Sequence, residues 1–194
     1  MLFQSTLEFR KHVFIDRLGW KLSISDGVER DEFDHAWAIN CALMSGSQVV
    51  GAFRAIRCDR PYLSARIFPT LSAEPYPSTW DAWEISRFAA LERASWPLYA
   101  AMLNFGWTRQ VRALVALVDL GHERMLGRLG IKVRRYGDPA LVGTTRDGRP
   151  IVAVAGEIPL LEQSPALHDA VTRALSKLEL TDETLVLGPN RVSA

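Results

Sequence analysis

A chain of 194 residues with 48% hydrophobic and 23% charged side chains has the size and apolarity of one globular domain, residues 1–194, with a substantial core. Its formal net charge of +1 gives no global basis for nucleic-acid binding, and no run approaches the ~20 apolar residues that span a bilayer, so neither nucleic acid nor membrane is expected as a partner. Cys41 and Cys58 stand in unrelated contexts without metal-ligand spacing, and the charged first ten residues lack an apolar signal core, which together predict reduced structural thiols, no metal and a cytoplasmic, soluble protein.

Leu7, Val13, Phe14 and Leu18 recur near helical spacing, with charged residues between them, and predict an amphipathic first helix ending near Gly19. Lys21 to Ser25 reads as a short strand and Asp26 to Asp34 as a charged loop. Two apolar runs, Trp37 to Met44 and Val49 to Ile56, flank Ser45-Gly46-Ser47-Gln48 and predict a β-hairpin. The proline-rich segment from Arg57 to Thr79 reads as a long ordered loop, followed by a strand from Trp80 to Ala90. Beyond it the pattern alternates. A helix runs from Trp96 to Gln110 with Ser95 as N-cap, a strand from Arg112 to Val118, a helix from Gly121 to Leu129, a strand from Lys132 to Tyr136, a strand from Ile151 to Ile158 and a helix from Gln163 to Leu178. The tail after about residue 180 is expected to be less ordered. Hairpin strands first and strand–helix units later make an α/β (α+β) fold, a mixed twisted sheet flanked by helices.

Within the fourth of these strand signals, Trp83-Glu84-Ile85-Ser86-Arg87-Phe88 sets an acid and an arginine three residues apart in an apolar run. Strict alternation puts Glu84 and Ser86 on one face and Trp83, Ile85 and Arg87 on the other. Buried ions need partners, and Arg10, Asp31, Asp34 and Arg54 are the candidates. Asp31 and Asp34, three apart, can converge on one cation, and a bidentate pair to Arg10 or Arg54 suits guanidinium geometry.

These residues, carried in the runs FRKHVFIDRLGW, ERDEFDHAWA, VVGAFRAI, RPYLSARIFPTL and WEISRFA, resemble in type and spacing the LuxI-type acyl-homoserine-lactone (autoinducer) synthases, and LVALVDLGHERMLGRLGI continues the likeness. The resemblance implies a fold similar to the N-acetyltransferases, and a quorum-sensing acyltransferase. Its substrates would be S-adenosylmethionine and an acyl thioester on acyl-carrier protein or coenzyme A. Amide formation and lactonisation would follow, with release of methylthioadenosine and without any cofactor. Glu84 then becomes the candidate base, with Asp31, Ser86 and Arg87 in the catalytic set; Arg10, Phe14, Trp20, Asp31, Asp34 and Arg54 become the S-adenosylmethionine set. A splayed strand beside Glu84 would take the pantetheine amides, with Phe88 and Trp107 near that path, and Met102, Phe105, Leu114, Ala116, Val118 and Met125 would line the acyl pocket. Members that prefer 3-oxo chains commonly carry a threonine in the strand before the ERML-like helix; here that strand, Arg112 to Val118, has no hydroxyl, so an unsubstituted, branched or aromatic acyl group is expected. Arg124, Arg128, Lys132, Arg134 and Arg135 form a basic cluster able to dock an acidic carrier protein or the phosphates of coenzyme A. Without the resemblance the same residues fit two other readings, an N-acyltransferase acting on another amine and a non-catalytic ligand-binding module. Against the first stands the lack of a glycine-rich pyrophosphate loop around Ser95 to Leu98.

Overall fold

The structure, a computed structural model, describes residues 2–185. Helix α1 (Leu2–Arg10) continues without a break into a wider π-helical turn (Lys11–Arg17), and the chain leaves it at Gly19, whose φ of 69° is the left-handed geometry that glycine adopts freely. A two-residue hairpin follows, β1 (Ile24–Ser25) with β2 (Val28–Glu29). Its turn is Asp26-Gly27, both at positive φ (52° and 78°), the backbone that an Asp-Gly pair favours. The expected strand from Lys21 is therefore only its last two residues, and the expected loop contains a strand.

Strands β3 (Ile39–Ser45) and β4 (Gln48–Arg57) form the predicted hairpin. The proline-rich segment folds into a short helix α2 (Leu63–Ile67) and a 3-10 turn (Pro69–Leu71), and leads to β5 (Ala82–Ala90). Helix α3 (Ser95–Thr108) starts one residue earlier than a Ser95 cap requires: the residue at its N-cap is Ala94, because a 3-10 turn (Glu92–Ala94) runs directly into the helix. Then come β6 (Ala113–Asp119), α4 (Leu120–Arg128), β7 (Arg134–Arg135), β8 (Ala140–Thr144), β9 (Pro150–Pro159) and α5 (Pro165–Leu175). Asp119 caps α4 by accepting from the amides of Gly121 and His122, and Ser164 caps α5 by accepting from Leu167. Strand β8 was not expected, and β7 keeps only two residues of the run from Lys132 to Tyr136.

The main sheet has seven strands in the order β3-β4-β5-β6-β9-β7, with β8 also on β9. Its only parallel pair is β5 with β6; every other neighbour among the described strands is antiparallel. The main core joins one face of this sheet to α3, α4 and α5 through Phe53, Ile85, Leu98, Leu103, Leu114, Leu126 and Val171. A second cluster under α2 uses Phe33, Ile56, Tyr62 and Val115, and a third packs Phe9 and Phe14 on Ala52 and Ala89. Both cysteines are free, and burial pushes the Cys41 thiol up to about 12. No helix among the described residues is long and apolar enough to cross a membrane. Of the tail, residues 181–185 are described and are tied down by Arg109, which donates to Asp182 at 2.5 Å; residues 186–194 lie outside the described residues.

Candidate active site

Two irregularities of β5 build the site. The first is a bulge. Ala89 pairs with Ala52 while Ser86 pairs with Arg54, so β5 fits one more residue into this stretch than β4 does, and Arg87 takes a φ of 54° to accommodate it. Alternation therefore breaks. Ser86 meets Arg54, Arg87 turns to Glu29 of β2, Glu84 reaches the start of α2, and Phe88 falls back to the main core beside Phe53 and Tyr99. The expectation that Arg87 shares the face of Trp83 and Ile85 is corrected by this extra residue.

The second irregularity is a splay. The β5–β6 pairing runs from Ala82↔Ala113 to Ile85↔Ala116 and ends there, so the later half of each strand leaves the other. Phe88 stands at this divergence, 4.5 Å from Tyr99 of α3 and 5.5 Å from His122 of α4 between ring centroids, and the Tyr99 hydroxyl meets His122 Nε2. Burial lowers the pKa of His122, against the charge of Asp119, and raises that of Tyr99.

On the other side of β5 lies a lattice of three arginines and three acids. Arg10 donates two parallel bonds to Asp34 (2.7 and 2.9 Å), one from Nε to Glu29 (2.6 Å) and a longer one to Asn40 (3.5 Å). Arg54 donates to Asp31 (2.5 and 3.2 Å) and to Ser86 Oγ (3.1 Å), with Asp34 at 3.0 Å. Arg87 donates to Glu29 (3.0 Å) and Asp31 (2.7 Å). Burial alone would favour a neutral Asp34, but the Arg10 bonds and the charges of Arg54 and Arg10 outweigh it and hold the carboxyl well below its ordinary range.

Arg10 and Arg54 were expected to touch S-adenosylmethionine. Their side chains are 1% and 0% exposed and bonded to acids, and that of Asp34 is buried between them, so none of the three offers side-chain surface in this structure. Asp31, 13% exposed, is the acid of this lattice with surface to offer. Glu29 was missed by the sequence reading; the Asp-Gly turn signal at 26–27, which puts Glu29 on a strand, was the available clue. Phe14 and Trp20 stack at 5.1 Å in the third cluster, Phe14 buried and Trp20 half-buried.

Glu84 is fully buried. It accepts from Ser64 Oγ (2.6 Å), Ser64 N (2.7 Å) and Leu63 N (3.0 Å), at the start of α2. Burial pushes its pKa up, while these bonds and the Arg54 charge pull the other way. Ser64, also fully buried, escaped the sequence reading, which left its segment as loop.

Of the acyl set, Ala116 and Val118 line a small cavity of about 40 Å³ with Leu126, Val154 and Gly156. Met102, Phe105 and Leu114 sit in the main core, with Met125 packed against it. Trp107 departs from the expected path: it stacks on His168 of α5 at 4.0 Å and donates to the Leu160 carbonyl, because its position on α3 faces α5. The basic cluster is largely neutralised. Arg134 pairs with Glu157 and Glu162, Lys132 with Glu162 and Arg135 with Glu123, leaving Arg124 and Arg128 without an ion pair to any described residue. A cavity of about 400 Å³ opens between α1 and the start of β3, lined by Thr6, Arg30, Asp34, His35 and Asn40; Glu84, Ser86, Phe14 and Trp20 do not line it.

With this geometry in hand, residues 2–151 match the profile of the Autoinducer synthase family. The chain belongs to that family. This autoinducer synthase is 32% identical over 160 residues to the acyl-homoserine-lactone synthase of Ralstonia solanacearum, covering 75% of this chain and 76% of the relative. It is 33% identical over 141 residues to that of Aeromonas hydrophila, with 66% and 68% covered. Among solved structures, TofI in a ternary complex with an inhibitor and MTA superposes with a TM-score of 0.68 at 31% identity, over 86% of this chain and 94% of that one. The N-acyl amino acid synthase FeeM, at 16% identity and a TM-score of 0.60 over 83% of this chain and 92% of its own, shares the fold. The autoinducer synthase is thus an acyl-homoserine-lactone synthase on an N-acetyltransferase-like fold.

Proposed function

We propose that this synthase joins S-adenosylmethionine to an acyl thioester whose chain carries no 3-oxo group. The observation that carries this reading is the splay after Ile85↔Ala116, which opens backbone beside Glu84 and Phe88 for a pantetheine arm, next to the lattice acid Asp31. That TofI was solved with MTA supports an S-adenosylmethionine-derived product.

In the first step the methionyl ammonium loses a proton and its nitrogen attacks the thioester carbonyl carbon; the C–S bond breaks and the thiolate leaves, to be protonated. Asp31 holds the ammonium, with Arg87 and Arg54 fixing the carboxylate. Glu84 takes the proton through an intervening water, because its own surface is enclosed. In the second step the carboxylate of the acylated product attacks the carbon next to the sulfonium; the C–S⁺ bond breaks, methylthioadenosine leaves and the lactone closes. Trp20, half-buried and backed by Phe14, offers an aromatic face for the sulfonium or adenine.

The donor is a carrier protein or coenzyme A, with Arg124 and Arg128 of α4 as its cationic contact. The acyl preference follows from β6, where Ala116 and Val118 present only hydrocarbon to the cavity. Mass spectrometry of purified protein with S-adenosylmethionine and a panel of acyl-carrier and acyl-coenzyme A thioesters tests all of this. Lactone and methylthioadenosine together are expected; a clear preference for 3-oxo thioesters overturns the acyl reading, and absence of both products overturns the reaction.

A further inference from the structure

We propose that Ser64 is a positioning residue for amide formation, fixing which oxygen of Glu84 accepts the proton. The proposal rests on Glu84 as the base. An ionised carboxylate offers about four lone-pair sites, two on each oxygen. Ser64 fills both on Oε1, from its hydroxyl at 2.6 Å and its amide at 2.7 Å, whereas Leu63 fills only one on Oε2, at 3.0 Å. Among the described residues no second donor reaches Oε2, so the proton arrives there.

The support for Ser64 is rigid. Tyr62, one residue before α2, is 2% exposed and donates its hydroxyl to the Pro77 carbonyl at 2.7 Å. Its ring meets Tyr76 edge-on, and Tyr76 meets Tyr136 edge-on in turn. Tyr76 donates to the Phe68 carbonyl just past α2, and Ala73 N to Tyr136 O. The proline-rich segment is therefore anchored at both ends of α2, and the Ser64 hydroxyl is held on Glu84 rather than free to rotate toward water. A donor to the charged form favours ionisation, so Ser64 opposes the upward push that burial gives Glu84.

The test is the pH profile of kcat/KM for lactone formation in Ser64→Ala and Ser64→Thr. Ser64→Ala should lower kcat by about tenfold, keep KM for S-adenosylmethionine within about twofold, and move the acidic limb upward by about one pH unit, as expected for one lost bond to a charged group. Ser64→Thr, which restores the hydroxyl, should return the limb toward wild type. If Ser64→Ala does not fold, Ser64→Cys, a weaker donor, reads the same limb. A folded variant lacking the hydroxyl whose acidic limb coincides with wild type overturns the proposal. Glu84→Gln separates the two claims: near-normal turnover removes the base and Ser64's role with it, whereas an inactive Glu84→Gln beside an unmoved limb removes Ser64 alone.

Discussion

Arg87 reaches Asp31 at 2.7 Å only because its own backbone is left-handed, with φ at 54°. An arginine in that region is uncommon, and the surrounding ion pairs hold it there. Arg87 is 8% exposed and bridges Glu29 and Asp31, so Arg87→Ala leaves two acids short of a cation. The expected loss is about 3–5 kcal/mol by urea unfolding, the cost of removing one partner from a buried pair. Arg135→Ala, which breaks an exposed pair with Glu123, should move the midpoint far less.

Glu84→Gln should preserve the far-ultraviolet spectrum while reducing release of methylthioadenosine by about 10²–10⁴-fold, the range for loss of a general base. A rate within a few-fold of wild type would remove Glu84 from that role.

Acid should expose the contribution of Asp34. An unfolded aspartate titrates near 3.8 and the folded Asp34 well below it, so between these values the unfolded chain binds more protons. The stabilisation is complete above the unfolded value and is lost as pH falls through the folded one. Wild-type stability should therefore drop steeply below pH ~4. Asp34→Asn should be less stable at neutral pH and fall less steeply in acid, read as urea midpoints against pH.

Ala116→Thr places a hydroxyl on the wall of the small cavity between β6 and α4. It should raise the ratio of kcat/KM for 3-oxo over unsubstituted thioesters of equal length by about tenfold, measured in competition. An unchanged ratio would place the acyl chain elsewhere.

Gly156 sits opposite Ala116, and a Cβ there would lie 2.5 Å from the Arg134 carbonyl oxygen. Backbone cannot yield as a side-chain tip can. Gly156→Ala should cost about 1–3 kcal/mol in thermal or urea unfolding and detach β7 first, visible as faster amide exchange at 134–135.

Much of this architecture is written in local patterns. Two apolar runs split by a polar turn marked the β3–β4 hairpin, and a glycine stop after Leu129 bounded α4, because those signals need no distant partner. The resemblance gathered Arg10, Asp31, Asp34, Arg54 and Arg87, and the structure brings all five together. Three things stayed hidden. Alternation misplaced Arg87, since a bulge depends on register with β4, which no single strand encodes. Glu29 and Ser64 lay in segments read as loops, where burial comes from tertiary packing alone. Trp107 was assigned to the acyl path although α5 covers its side of α3.

The lattice of Arg10, Glu29, Asp31, Asp34, Arg54 and Arg87 balances three positive charges with three negative ones, and the last cation to leave the ribosome is Arg87. Until β5 is made, two arginines face three acids in the nascent chain. The N-terminal 80 residues are thus a poor candidate for an autonomous folding unit, because the charge of the lattice is balanced only once Arg87 joins it.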